Sequence, residues 1–238
     1  YPSYVSLDNP ETIWVYGNAA DFSGIIGVKD KMEDGTTYAN FVNVSQNLIA
    51  CYKDEEDLRK TLYLVEELRG PLNAKPEELK PVEGHYLPWS KCVMQYNNMV
   101  KSSTEYGMSF RLSEAYLILA EAVYDSDETL ALKMINELRE KRYTEGSNYE
   151  VHYSGEDLLN FIREERRREL CFEGQRWFDL RRYGMPSFKH RWIEFGDNLG
   201  SYVIEEKDAA YTLPIPTDVI NRNSALSQNK LTTTKTLQ

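Results

Sequence analysis

The sequence predicts a mainly α fold with long irregular loops and one or two short strands. Two observations carry that prediction. From residue 110 onward, apolar residues recur with the helical period over three successive segments. Before residue 110 the chain is cut into short pieces by Gly17, Gly24, Gly27, Gly35, Gly70, Gly84, Pro71, Pro76, Pro81 and Pro88, residues that interrupt regular elements. With 238 residues, 41% of them hydrophobic, the chain has material for one large or two small domains.

The elements follow in chain order. Thr12 to Tyr16 reads as a strand because Ile13, Trp14 and Val15 are branched or aromatic. Ser45 to about Leu68 reads as a helix, with Ser45 capping and Leu48, Ile49, Tyr52, Leu62 and Val65 as its apolar face. Four consecutive carboxylates, Asp54 to Asp57, predict a break in its middle. Arg111 to Tyr124 reads as a core helix whose stripe is Leu112, Tyr116, Leu119, Ala120 and Val123. After the polar break at 125–127, with Asp127 as N-cap, a second helix carries Leu130, Ala131, Met134, Ile135 and Leu138 and ends near Arg142.

So short a turn packs the two helices antiparallel. The small residues Ala120 and Ala131, set against Tyr116, Ile135 and Leu138, make a tetratricopeptide-like helix pair. One such pair cannot bury both of its faces, so partner helices are expected elsewhere in a longer protein. A third helix is expected from Gly155 to about Tyr183, with Leu158, Leu159, Ile162, Leu170, Phe172, Trp177 and Leu180 as its apolar set. The rest returns to loop around Pro186, Pro214 and Pro216. The organisation expected is a loop-rich, ligand-facing region over 1–109 and a helical region over 110–238, together one domain.

Charge excludes several functions. Lys and Arg number 28 against 38 Asp and Glu, a net charge of 28 − 38 = −10, which opposes a surface built to neutralise phosphates. No nucleic-acid partner is expected. The longest apolar stretch, around Ala115 to Val123, is broken by Glu121 and falls short of the roughly 20 residues that a bilayer requires. The chain opens at Tyr1 with no leader pattern, which reads as a processed or truncated start. Cys51, Cys92 and Cys171 leave packed thiols and a disulfide both open, and His85, His152 and His190 stand too far apart for a zinc pattern. No cofactor is expected: the sequence carries no glycine-rich nucleotide loop and no serine-nucleophile motif.

Two constellations remain. Arg163 to Arg182 interleaves Arg with Glu and Asp, placing Glu164 and Glu165 against Arg168, Arg166 against Glu169, Glu173 against Arg176 and Asp179 against Arg182 at helix-neighbour spacing. A structural ion-pair network of Arg166, Glu169, Glu173, Arg176 and Asp179 is the favoured reading. The rival is a carboxylate pair, Glu165 with Glu169 or Glu169 with Glu173, for acid and base work on a glycosidic bond; an Arg in reach of each carboxylate opposes it. Gly174, read as lying inside the helix, costs about 1 kcal/mol relative to Ala.

The second constellation is aromatic. Trp14, Tyr16, Phe22 and Tyr38 lie among Asn18, Asp21, Asn40 and Asn43, and Trp89 sits in a later loop. Ring faces cover the C–H surface of a sugar while amides and carboxylates bond its hydroxyls. Tyr16, Asn18, Asp21, Phe22 and Trp89 are the ligand-binding residues expected from this chemistry. Trp14, in the strand, is favoured as core.

The helical half resembles a known family. Its residues are Arg111 to Ala122, Ala131 to Arg139, Glu165 to Leu170 with Phe172-Glu173-Gly174 and Arg176 to Arg182, and finally Leu213-Pro214-Ile215-Pro216 with Asn221, Gln228 and Asn229. These four ordered blocks resemble the SusD/RagB outer-membrane nutrient-binding lipoproteins of Bacteroidetes. Asn9 to Trp14 and Asp57-Leu58-Arg59 resemble weaker upstream blocks of the same family. The resemblance implies tetratricopeptide-like helix pairs supporting long loops, and a non-catalytic role in capturing oligosaccharide at the cell surface. It implies two partners, a TonB-dependent transporter of the SusC type and the outer membrane, reached through a lipid anchor outside this chain. The match resembles the C-terminal portion of such a protein. Peptide is the alternative ligand; a glycoside hydrolase and a helical-repeat scaffold for protein partners are the alternative functions.

Overall fold

The computed structural model describes residues 7–17, 27–31, 37–41, 43–70, 75–87, 108–194 and 197–238. In chain order they form β1 (Thr12–Tyr16), β2 (Gly27–Lys31), β3 (Thr37–Phe41), α1 (Gln46–Ile49), α2 (Leu58–Tyr63), β4 (Val65–Arg69), β5 (Lys80–Leu87), β6 (Met108–Arg111), α3 (Leu112–Val123), α4 (Glu128–Glu140) and α5 (Gly155–Glu169). Then come α6 (Arg176–Arg182), β7 (Phe188–Glu194), β8 (Asp197–Ile204) and α7 (Thr217–Arg222). The strands pair antiparallel in four two-stranded sheets: β1 with β6, β2 with β3, β4 with β5 and β7 with β8. The chain divides into two compact units, Tyr1–Gly174 and Gln175–Gln238.

In the first unit, α3 and α4 form a hairpin across a four-residue link. Asp127 caps α4, its side chain accepting from Leu130 N at 2.9 Å. Ala120 and Ala131, both fully buried, let the helices approach, and Leu117, Ile135, Leu138, Leu158, Ile162 and Leu170 close the core with α5. The stripe of α3 differs in phase from the expectation. Leu117 and Ala120 face the core while Leu112 and Leu119 are exposed. The helix is apolar on both faces, so periodicity alone cannot set its phase. A smaller cluster gathers Val44, Leu48, Tyr52, Leu64 and the thiol-bearing Cys171. Cys51 and Cys171 are buried thiols; Cys92 lies outside the described residues.

Two expected helices are corrected. Ser45 to Leu68 is two short helices followed by a strand: Ser45 caps α1 and Asp57 caps α2, accepting from Arg59 N at 3.0 Å. The chain leaves α2 in extended backbone at Leu64 and enters β4. The long helix expected to Tyr183 stops at Glu169. Phe172 (φ 64°) and Gly174 (φ 75°) take left-handed backbone, which an α-helix excludes, and α6 starts afresh at Arg176. Gly174 therefore carries no helix-interior penalty; its conformation is one that glycine adopts without strain.

The second unit is built on the β7–β8 hairpin. Tyr211 is fully buried, stacks on Trp177 at 4.9 Å and donates its hydroxyl to the carbonyl of Pro186 at 2.5 Å. Phe188 meets both rings edge-on. Among the described residues no helix is long and apolar enough to cross a membrane.

Candidate functional site

Strand alternation puts three aromatic rings on one side of the β1–β6 ribbon. Trp14 and Tyr16 are two residues apart and so share a face, and the register sets Phe110 opposite Trp14. The other side of the ribbon carries Val15 opposite the buried Ser109. A register shift between Thr12 and Trp14 leaves Ile13 as an extra residue, a bulge that re-aims the side chains beyond it.

The three rings are mutually stacked. Trp14 lies 5.2 Å from Tyr16 and 5.8 Å from Phe110, the latter with planes within 7°, and Tyr16 lies 6.0 Å from Phe110. Yet none is core: Trp14 is 57% exposed, Tyr16 42% and Phe110 41%. The expectation that Trp14 is core is therefore corrected, because the bulged edge ribbon holds its ring outward. Ring surface kept in water at this cost of apolar exposure is suited to cover a flat C–H face. Phe110 was not expected here. Its only sequence signal is the alternation of Met108 to Arg111, and its partner strand lies nearly a hundred residues earlier.

Of the other expected ligand residues, Asn18, Asp21, Phe22 and Trp89 lie outside the described residues. Tyr38 and Asn40 belong to β3.

Within the same unit lies a buried charge network. Arg59, 1% exposed, holds both oxygens of Asp57 at 2.8 and 2.7 Å, then Glu165 at 2.6 Å and Glu169 at 3.2 Å. Arg111 reaches Glu169 at 2.9 Å and Glu173 at 2.7 Å. Arg142 reaches Glu169 at 2.9 Å and both oxygens of Glu11 at 2.7 Å. Arg139 and Arg168 complete the shell of Glu165 at 3.2 and 2.6 Å. Five arginines thus face the buried Asp57, Glu165, Glu169 and Glu173, with the more exposed Glu11, Asp54 and Glu164 at the rim.

The two innermost carboxyls are held ionised. Burial pushes the Glu165 carboxyl up, but Arg59, Arg168 and Arg139 outweigh it and bring it down to about 2. Glu169, opposed by burial and favoured by Arg142, Arg111 and Arg59, also lies well below the usual carboxylate range. Neither can hold a proton for a leaving group near neutral pH, and both are fully buried. The carboxylate pair considered for glycosidic chemistry is thus committed to arginines.

Each residue expected in the ion-pair network has a definite place. Glu169 and Glu173 sit in the cluster just described, and the buried Arg166 reaches Glu114 at 3.2 Å. Arg176 and Asp179 belong to the second unit, where Asp179 accepts from Arg182 Nε at 3.0 Å. Sequence reasoning missed Glu11, Asp57, Arg59, Arg111, Arg139 and Arg142 as members. Glu11, Asp57, Arg59, Arg111 and Arg139 stood within the family-like blocks, but no spacing tied them to the cluster. Among the described residues no group of three or more His, Cys, Asp or Glu could hold a metal ion.

The chain is similar to several known proteins. SusD-like protein P2 of Formosa agariphila is 34% identical over 142 residues, which are 56% of this chain and 27% of that protein. The starch-binding protein SusD of Bacteroides thetaiotaomicron is 34% identical over 122 residues, 51% of this chain and 20% of that protein. The crystal structure of a SusD-like carbohydrate binding protein from Bacteroides vulgatus has a TM-score of 0.59 at 20% identity, covering 97% of this chain and 51% of that one. A SusD superfamily protein from B. thetaiotaomicron gives 0.56 at 20% identity, covering 94% and 54%. The chain spans about half the length of these solved structures, which share its helical, tetratricopeptide-like fold. The family model described as the SusD family matches residues 80–231, well over half of the sequence, and the chain belongs to that family.

Proposed function

We propose that this chain binds oligosaccharide without transforming it, at the cell surface, as part of a nutrient-capture protein that delivers its ligand to a TonB-dependent transporter of the SusC type. The observation that carries this reading is the exposed, stacked face of Trp14, Tyr16 and Phe110. Apolar rings held in water by a framework gain little for folding and offer a pyranose a ready C–H contact. Asn18, Asp21, Phe22 and Trp89 stay in the proposal on side-chain chemistry alone, an amide and a carboxylate able to bond hydroxyls and two rings able to stack. Family membership supports the transporter and the outer membrane as partners in this reading. The starch-binding and carbohydrate-binding relatives favour glycan over peptide.

The test is calorimetric titration of the chain with malto-, cello- and other oligosaccharides and with short peptides, followed by product analysis of every ligand that binds. Glycan binding that survives incubation unhydrolysed, and that Trp14→Ala weakens, supports the proposal. Turnover of a bound glycan, or binding indifferent to Trp14→Ala, overturns it. Binding of peptides alone transfers the site to peptide.

A further inference from the structure

We infer that Glu11, gripped by Arg142 and Arg111, is a positioning residue that fixes the aromatic face from beneath. The inference deepens the ligand-binding reading and rests on it for the effect on affinity. Glu11 stands one residue before β1. Both of its carboxylate oxygens accept from Arg142 Nη2 at 2.7 Å, and Arg111 Nη1 lies 3.4 Å away. Its main chain is fixed as well, since its carbonyl accepts from Leu112 N at 2.8 Å and its N–H donates to Asn9 Oδ1 at 2.9 Å.

Arg111, for its part, is the last residue of β6 and follows Phe110 directly. It runs on to Glu169 and Glu173 in the buried cluster. Both strands of the ribbon are thus tied by a charged side chain, Arg111 directly after Phe110 and Glu11 three residues before Trp14, to one buried charge cluster at one corner. A lone two-stranded ribbon has little stability of its own, and the bulge at Ile13 interrupts its pairing next to Trp14. The clamp supplies what pairing alone does not, a fixed position for Trp14 relative to Phe110.

An ordinary stabilising role would look different, and a matched control separates the two. Glu164 has the exposure of Glu11, 31% against 28%, and the same kind of bond, to Arg168 at 2.7 Å, but its ion pairs run to Arg168 and Lys53 and not to the ribbon. The full chain is labelled with fluorotryptophan and its Trp14 resonance is assigned by Trp14→Phe. Glu11→Gln and Glu164→Gln are then compared by fluorine NMR, by thermal unfolding and by titration with maltoheptaose.

Both variants are expected to unfold at similarly lowered temperature. Only Glu11→Gln is expected to shift or broaden the Trp14 resonance and to weaken maltoheptaose binding about tenfold, the loss of one well-placed aromatic contact. A Trp14 resonance unmoved by Glu11→Gln, or moved as much by Glu164→Gln, overturns the clamp. If maltoheptaose does not bind the unaltered chain, the choice of ligand falls, while the Trp14 resonance still decides whether Glu11 positions the face.

Discussion

In the first unit the β1–β6 ribbon and the helix termini near it reverse the usual sorting of residues. Below, five arginines and their carboxylates are buried; above, tryptophan, tyrosine and phenylalanine stand in water. Charge inside contributes geometry, since each guanidinium fork must match its carboxylates in direction as well as distance. Aromatic surface outside costs stability and leaves an unspent contact for a ligand. The comparison teaches a division of labour, in which one region fixes position and the other binds.

Predictions follow from attacking each side in turn. The largest effect is expected from Arg59→Leu, which leaves Asp57, Glu165 and Glu169 buried without their shared partner. The loss should be about 3–5 kcal/mol in urea unfolding followed by circular dichroism, the range for a broken buried ion pair. A loss below about 1 kcal/mol would mean that water or another arginine replaces it, and that the cluster is not a rigid body.

Acid is the next probe. The folded-state value of the Glu165 carboxyl, about 2, lies below its ordinary 4.5. A depressed value means that the stability it adds is fully present above pH 4.5 and is lost as pH falls from there through 2. Glu169 is shifted in the same direction. Urea midpoints measured at pH 7, 5 and 3 should therefore hold between the first two and drop at the third; a midpoint that stays level to pH 3 would contradict the assignment.

Smaller effects belong to the exposed side. Trp14→Ala should weaken glycan binding about tenfold while changing stability by no more than about 0.5 kcal/mol, as for other surface positions. Phe110→Leu, which keeps apolar bulk but removes the ring, should weaken binding less than Trp14→Ala does. If either change unfolds the chain, the rings are structural and the contrast between the two regions collapses.

Much of this was legible in the sequence, for reasons that can be traced to residues. The α3–α4 hairpin was readable because its signals are local: Asp127 caps within three residues, and Ala131, Ile135 and Leu138 repeat along one face. The strand of Trp14 and Tyr16 was readable from residue type. The end of α5 was not, because Leu170, Trp177 and Leu180 prolong an apolar pattern across a break that Phe172 and Gly174 make by backbone angle alone. Nor was the charge cluster, since helix spacing pairs Arg166 with Glu169 and is silent about Arg59 or Arg142. Phe110 joins its face only through strand pairing with β1, a long-range contact that no local rule supplies.

The tie between Glu11 and Arg142 spans 131 residues, and that between Arg59 and Glu165 spans 106. Contacts of such range form only after most of the intervening chain is ordered, so the ring of charges is a late event in folding and an early barrier to unfolding. Its influence should appear in how long the folded unit lasts rather than in how fast it forms. Arg142→Gln should steepen escape from the native state in denaturant-jump experiments and leave the refolding rate nearly unchanged. Persistence of the folded unit, more than its speed of formation, is then the property that this ring of charges sets.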